Sequence, residues 1–177
     1  MLPFGGRPLV ERVWGRVRPQ VDQVIISANR NVERYAAYGR VVTDPLPGYA
    51  GPLAGILAAL GACNTPWLVA CAGDAPDLPA DLVQRFRETL RARAANARAI
   101  GVTVFAGGKL EPLPVLVHRS TAASLADYLA ADRRSVHGWL TTLALAPADF
   151  SDAGATFASM NNPEDFGTGQ LPICDCR

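Results

Sequence analysis

The stretch that most constrains this chain is Trp67-Leu68-Val69-Ala70-Cys71-Ala72-Gly73-Asp74-Ala75-Pro76. A short apolar run bounded by Pro66 on one side and by Gly73 and Pro76 on the other reads as a buried strand of a parallel sheet. Asp74 then stands alone at the carboxyl edge of that strand, where open α/β sheets bind their ligands. A carboxylate in that position suits a hard cation such as Mg²⁺. It equally suits a cap on the helix that follows, or a closed turn. The spacing alone leaves both readings open.

The rest of the chain alternates helix and strand signals around this run. Leu9, Val13 and Val17 recur at helical spacing over Pro8 to Arg18, and Val24-Ile25-Ile26 centres a strand over Val21 to Ala28. A short helix over Val32 to Tyr38 stops at Gly39, and a strand over Arg40 to Thr43 ends at Asp44-Pro45. The glycine-rich run Gly51-Pro52-Leu53-Ala54-Gly55 opens a helix, an arrangement that lets backbone N–H groups approach an anion. Ordinary loops use the same residues. A helix over Pro79 to Asn96 carries Leu82, Val83, Phe86 and Leu90 on one stripe, with Arg85, Arg87, Arg91 and Arg93 read as its wet surface. Ile100 to Phe105 and Pro114 to His118 form a hairpin around Gly107-Gly108. Helices over Ala122 to Ala131 and Val136 to Leu143 and a strand over Leu145 to Phe150 follow. Asn162-Pro163 starts a last short helix. This alternation predicts an α/β, three-layer, mainly parallel architecture, with residues 1–170 as one domain and 171–177 as a loose tail.

Composition removes several function classes. With 177 residues, 49% hydrophobic and 19% charged, the chain buries a real core. A net charge of +1 gives no electrostatic case for a nucleic-acid or membrane-surface partner. The N-terminal residues lack a signal-peptide core, and the weakly polar stretch from Ala50 to Cys63 is too short to span a bilayer. A cytoplasmic protein is the expectation. Of the four cysteines, Cys63 and Cys71 read as small apolar residues, and Cys174-Asp175-Cys176 lacks a second ligand cluster. No nucleophile elbow, Walker loop or metalloprotease helix is present, and His118 and His137 stand isolated. Asn29, Asp44, Asp74 and the glycine-flanked helix start remain, all at strand or helix ends. That set suits nucleotide and metal binding without a protein nucleophile.

Eight short motifs, in order, carry a resemblance. They are Gly6-Arg7-Pro8-Leu9, Ile26-Ser27-Ala28-Asn29-Arg30, Thr43-Asp44, Gly51-Pro52-Leu53-Ala54-Gly55, Ala72-Gly73-Asp74-Ala75-Pro76, Glu111-Pro112-Leu113, Arg133-Arg134 and Asn161-Asn162-Pro163-Glu164. In these the chain resembles the molybdenum cofactor guanylyltransferase family, within the Rossmann-like, GT-A-like nucleotidyltransferases. The resemblance implies GTP and molybdopterin as substrates, Mg²⁺ as cofactor and molybdoenzyme-maturation proteins as partners. It places Asp74 on the metal and the GTP phosphates as the catalytic residue. It places Asn29 and Asp44 on the guanine nucleotide, and Gly51 to Gly55 along the nucleotide pocket. Arg133, Arg134 and Asn161 fall on the pterin side, and Ser159 departs from the family's asparagine.

The family opens with a strand and a glycine-rich loop bearing a lysine. This chain has no such stretch, and Lys109, its one lysine, lies in the hairpin. The expectation is a fold with the N-terminal strand missing, a sheet without its central strand, and impaired turnover. A cytidylyltransferase of the same cofactor, a sugar-phosphate nucleotidyltransferase and a non-catalytic nucleotide-binding module are the alternatives.

Overall fold

The computed structural model describes residues 3–4, 7–45, 51–94, 99–153 and 157. Two short strands, β1 (Pro3–Phe4) and β2 (Arg7–Pro8), pair antiparallel and lead into α1 (Leu9–Val17). Pro8 is the residue immediately before that helix, and the apolar positions Leu9, Val10 and Val13 are its buried face. Next come β3 (Ile25–Ser27), α2 (Val32–Tyr35), β4 (Arg40–Val42) and α3 (Pro52–Ala62). They are followed by β5 (Trp67–Ala70), α4 (Leu82–Ala94), β6 (Gly101–Ala106) and β7 (Lys109–His118). The chain then runs through α5 (Thr121–Ala130), α6 (Val136–Leu140) and β8 (Leu145–Asp149).

The strands form two separate main sheets. β3 and β4 pair parallel as a two-stranded unit, and β5, β7, β6 and β8 form a four-stranded sheet in that order. Within the larger sheet β7 runs antiparallel to both β5 and β6, and β6 runs parallel to β8. The architecture is α/β and layered as expected, but its pairing is mixed rather than mainly parallel. The β6–β7 hairpin closes at Gly107 and Gly108, both at positive φ, the backbone a tight primed turn requires. A hairpin partner is antiparallel by construction, so the connection decided the sense of pairing.

The central run therefore differs from its expected setting. β5 is an edge strand, bonded on one side to β7 only, and Trp67, Leu68 and Val69 are half-buried. An unbroken apolar run anticipates a strand covered on both faces; it carries no information about which strands lie beside it. Among the described residues β3 pairs with β4 alone and β5 with β7 alone.

The large sheet is covered on both faces. On one face Val13 of α1 and Leu82 and Phe86 of α4 pack with Val102, Val104, Leu116 and Phe150. Phe150 meets Phe86 and Phe157 edge to face, with ring centroids 6.0 and 5.3 Å apart. On the other face Leu53, Ile56 and Leu60 of α3, Leu125 and Leu129 of α5, and Trp139 of α6 pack on Ala70, Val115 and Val117. Adjacent residues of β7 thus serve opposite layers, as a strand's two-residue period demands. The small sheet has a cluster of its own, built from Val10, Ile26, Ala28 and Tyr35.

One local irregularity concerns the Glu111-Pro112-Leu113 motif. Thr103 pairs with Val115 while its neighbour Val104 pairs with Glu111, so residues 112–114 bulge out of β7. Thr103 Oγ1 donates to the Glu111 carbonyl at 2.8 Å and satisfies an acceptor the bulge takes out of the regular ladder.

Candidate functional site

Asp74 lies four residues past the end of β5, in a turn in which the Ala75 N–H donates to the Ala72 carbonyl at 3.4 Å. Helix α4 begins only at Leu82, so Asp74 does not cap it. The carboxylate is half-buried, and its Oδ1 is shielded from solvent with no hydrogen-bond partner. An uncompensated buried carboxylate oxygen is costly, and such a group in a native fold calls for a ligand or an ion. Arg12 Nη2 pairs at 2.6 Å with Asp77, three residues further on. Among the described residues no group of three or more His, Cys, Asp or Glu side chains forms a metal cage. One carboxylate with an open oxygen is the donor set that Mg²⁺ uses when substrate phosphates and water complete its shell.

Asn29 and Asp44 are brought together at the carboxyl ends of the parallel strands β3 and β4. Asn29 Nδ2 donates to Asp44 Oδ2 at 2.7 Å, and the Asp44 N–H donates to Asn29 Oδ1 at 2.9 Å. Ser27 Oγ donates to Asp44 Oδ1 at 3.3 Å, a partner that the motif reading passed over. The signal for it was present, because Ser27 and Asn29 share one face of the extended chain. These bonds orient the carboxylate and leave it acceptor capacity, since an ionised carboxyl has about four lone-pair sites.

Gly51 has φ +75° and ψ −169°, a backbone that side chains with a Cβ rarely adopt, and stands immediately before α3. The bend turns the chain into the helix with Pro52 at its first position, where a missing N–H costs nothing. Gly55 is buried one turn into α3.

Arg133 and Arg134 follow α5 in a Schellman-type ending. The Asp132 N–H donates to the Leu129 carbonyl at 3.0 Å and the Arg133 N–H to the Tyr128 carbonyl at 3.3 Å, with Asp132 at φ +57°. Arg134 is committed to this turn through the Leu129 carbonyl at 2.8 Å and the Asp132 carboxylate at 2.7 Å. Arg133 lies over the Tyr128 ring, 4.2 Å from its centroid. Among the described residues neither arginine is hydrogen-bonded or ion-paired to Asp74 or to the Asn29–Asp44 pair. Asn161, Ser159, the Asn162 cap and the Cys174–Cys176 tail lie outside the described residues.

Two side chains outside the candidate set, Arg85 and His118, have structural duties. Arg85 is half-buried; it binds Asp152 through two contacts of 2.6 and 2.7 Å and Asp81 at 2.8 Å, and lies 4.9 Å over the Phe150 ring. The helical period placed it off the apolar stripe but could not show Asp152 facing it from beyond β8. The bond from Arg85 holds the Asp152 carboxyl below its ordinary range. His118 is structural, with its ring edge-on to Trp67 at 5.0 Å and its Nδ1 against Ser120 Oγ at 2.8 Å.

A family model described as a MobA-like NTP transferase domain matches residues 1–145. The molybdenum cofactor guanylyltransferase of Cupriavidus pinatubonensis is 41% identical over 169 residues, covering 94% of this chain and 84% of that protein. The Shewanella sediminis protein of the same name is 36% identical over 166 residues, covering 93% and 82%. Among solved structures, molybdopterin-guanine dinucleotide biosynthesis protein A from Archaeoglobus fulgidus superposes with a TM-score of 0.72 at 21% identity, covering 93% of this chain and 85% of that one. A Thermus thermophilus 2-C-methyl-D-erythritol 4-phosphate cytidylyltransferase gives 0.66 at 18%, covering 93% and 88%. Those likenesses establish the nucleotidyltransferase fold.

Proposed function

We infer the activity from one premise: this chain belongs to the family of MobA-like NTP transferase domains. We propose that it transfers GMP from GTP to the molybdopterin form of the molybdenum cofactor. The observation that carries this reading is the 41% identity over 94% of the chain to a molybdenum cofactor guanylyltransferase. In the reaction a phosphate oxygen of molybdopterin bonds to the α-phosphorus of GTP, the bond from that phosphorus to the bridging oxygen breaks, and pyrophosphate leaves. Such a transfer needs positioning and charge neutralisation more than covalent help from the protein.

Asp74 is the residue that would hold Mg²⁺, and its unpartnered Oδ1 supports this role. A divalent ion there would neutralise triphosphate charge and polarise the reacting phosphate. Asp44, held by Ser27 and Asn29, offers an acceptor-only group to a base edge rich in N–H donors, which is the character of guanine. The Gly51 bend brings main chain to the start of α3 for the triphosphate side. Arg133 carries the pterin-phosphate contact, and Arg134 orders the turn that presents it. Maturation proteins that accept the product, and a cytoplasmic location, complete the proposal. No helix among the described residues is long and apolar enough to cross a membrane.

The test is nucleotide choice. Mg²⁺ with GTP raises the melting temperature more than Mg²⁺ with CTP, and pyrophosphate release requires both GTP and molybdopterin. Stabilisation by CTP alone, or pyrophosphate release with CTP in place of GTP, overturns the guanylyl assignment. The cytidylyltransferase fold likeness makes CTP the informative competitor.

A further inference from the structure

Asn29 uses its amide twice on one residue. Its Nδ2 donates to Asp44 Oδ2 at 2.7 Å, and its Oδ1 accepts from the Asp44 N–H at 2.9 Å. The two bonds close a ring through the Asp44 main chain and carboxyl, so together they restrict both side-chain torsions of Asp44. Ser27 holds the other oxygen, donating from Oγ to Asp44 Oδ1 at 3.3 Å. Ser27 is itself buried, and its position is set by pairing with Val42, two residues before Asp44. The main-chain ladder continues past Ser27, since the Ala28 N–H donates to the Val42 carbonyl at 3.0 Å. The three bonds to Asp44 therefore serve the carboxylate rather than the strand pairing. Each of its oxygens takes one protein donor and keeps an acceptor site, because an ionised carboxyl has about four in all.

We propose that Asp44 is the member of this trio that reads the nucleotide, and that Ser27 and Asn29 are positioning residues acting through it. Asn29, expected on the nucleotide itself, stands one step behind it. Asn29 turns both ends of its amide to Asp44, whereas the carboxylate keeps an open acceptor on each oxygen. Two adjacent acceptors held in one orientation match two adjacent donors, and guanine presents such a pair in its N1–H and 2-amino group. A carboxylate free to rotate would offer the same atoms without the register, so the value of Ser27 and Asn29 lies in preorganisation. The identity of the nucleotide rests on the guanylyl reading; the division of roles goes beyond it.

The experiment is a double-mutant cycle on the full chain, read as GTP affinity with Mg²⁺ by titration calorimetry. Asp44→Ala weakens GTP by about tenfold to a hundredfold, as for a lost hydrogen bond to a charged group. Asn29→Ala and Ser27→Ala each weaken it by about threefold to tenfold, within the range for members of one hydrogen-bond network. The double variant Asn29→Ala with Asp44→Ala binds no worse than Asp44→Ala, because no carboxylate is left to position. Ser27→Thr keeps the hydroxyl and recovers the affinity that Ser27→Ala loses. ITP, which lacks the 2-amino group, separates positioning from general loosening of the fold. Asn29→Ala and Ser27→Ala lower GTP affinity more than ITP affinity, whereas loosening lowers both alike. Losses that add in the double variant overturn the proposal, since Asn29 then contacts the nucleotide itself. So do equal losses for GTP and ITP, an Asp44→Ala variant that binds GTP as the native chain does, and a Ser27→Thr variant of native melting temperature that recovers nothing. Failure of the guanylyl reading shows separately, as a native chain that binds CTP in preference to GTP. The same cycle run with CTP then decides the division of roles by coupling or additivity.

Discussion

The two sheets of this molecule are built to different standards. The four-stranded sheet has helices on both faces, and Phe86, Val102, Val115 and Trp139 are fully buried around it. The β3–β4 pair has two strands of three residues each and a buried cluster of four residues. Yet the candidate site draws on both, with Asp74 from the large sheet and the Asn29–Asp44 pair from the small one. A single hairpin-sized sheet is marginal alone. The comparison teaches that the chemistry's geometry depends on how well the weaker half is held.

The largest effect expected is in the stronger half. Phe86→Ala removes a fully buried ring that touches Phe150 and costs about 3–5 kcal/mol. Denaturant titration followed by far-UV circular dichroism measures it. A loss below about 1 kcal/mol would mean that the large sheet is not the stability core. In the weaker half, Gly39→Ala places a Cβ 2.6 Å from the Val24 carbonyl oxygen, a main-chain atom that cannot turn aside. The expected cost is about 1–3 kcal/mol, read as faster exchange at Ile25–Ser27 and Arg40–Val42 with little change in β6. Equal acceleration throughout would show that the two halves unfold as one unit.

The helices and strands were legible from hydrophobic period and from Gly and Pro punctuation. α1 and α4 lie within the ranges expected, and α5 starts one residue earlier than expected, because each carries an apolar stripe with a marked start or stop. The setting of Asp74 was also legible, since Gly73 and Pro76 bracket it at a strand end. Strand neighbours were not. β5 reads as central by its apolar run, but pairing depends on connections made elsewhere, and the β6–β7 hairpin determined it. The bonds among Ser27, Asn29 and Asp44 joined residues 15 and 17 positions apart, a proximity no local pattern reports. Arg85 was misread for the same reason, its partner Asp152 lying 67 positions away.

That arginine gives the smallest effect and a check by pH. Asp152 has its pKa lowered by the bond from Arg85, so the folded state holds its proton less tightly than the unfolded chain. The resulting stabilisation is present above the unfolded carboxylate range and is lost as pH falls through the folded value. Arg85→Gln therefore lowers the melting temperature slightly at pH 7 and flattens the further fall on acidification below about pH 4, where free aspartate titrates. An unchanged acid limb would show that this exposed pair contributes nothing measurable. Because Arg85 joins α4 to the segment after β8, the change is confined to the larger half.

The central claim is that Asp74 takes a divalent ion shared with GTP. The direct test is paramagnetic broadening by Mn²⁺ with GTP, read on the backbone amides of Gly73, Asp74 and Ala75. The account predicts that these signals broaden in the native chain and that Asp74→Asn abolishes the broadening, with turnover falling by about 10²–10³-fold as for a lost preorganised electrostatic group. Broadening of the same amides that survives Asp74→Asn, or GTP binding that leaves them sharp in the native chain, would contradict it.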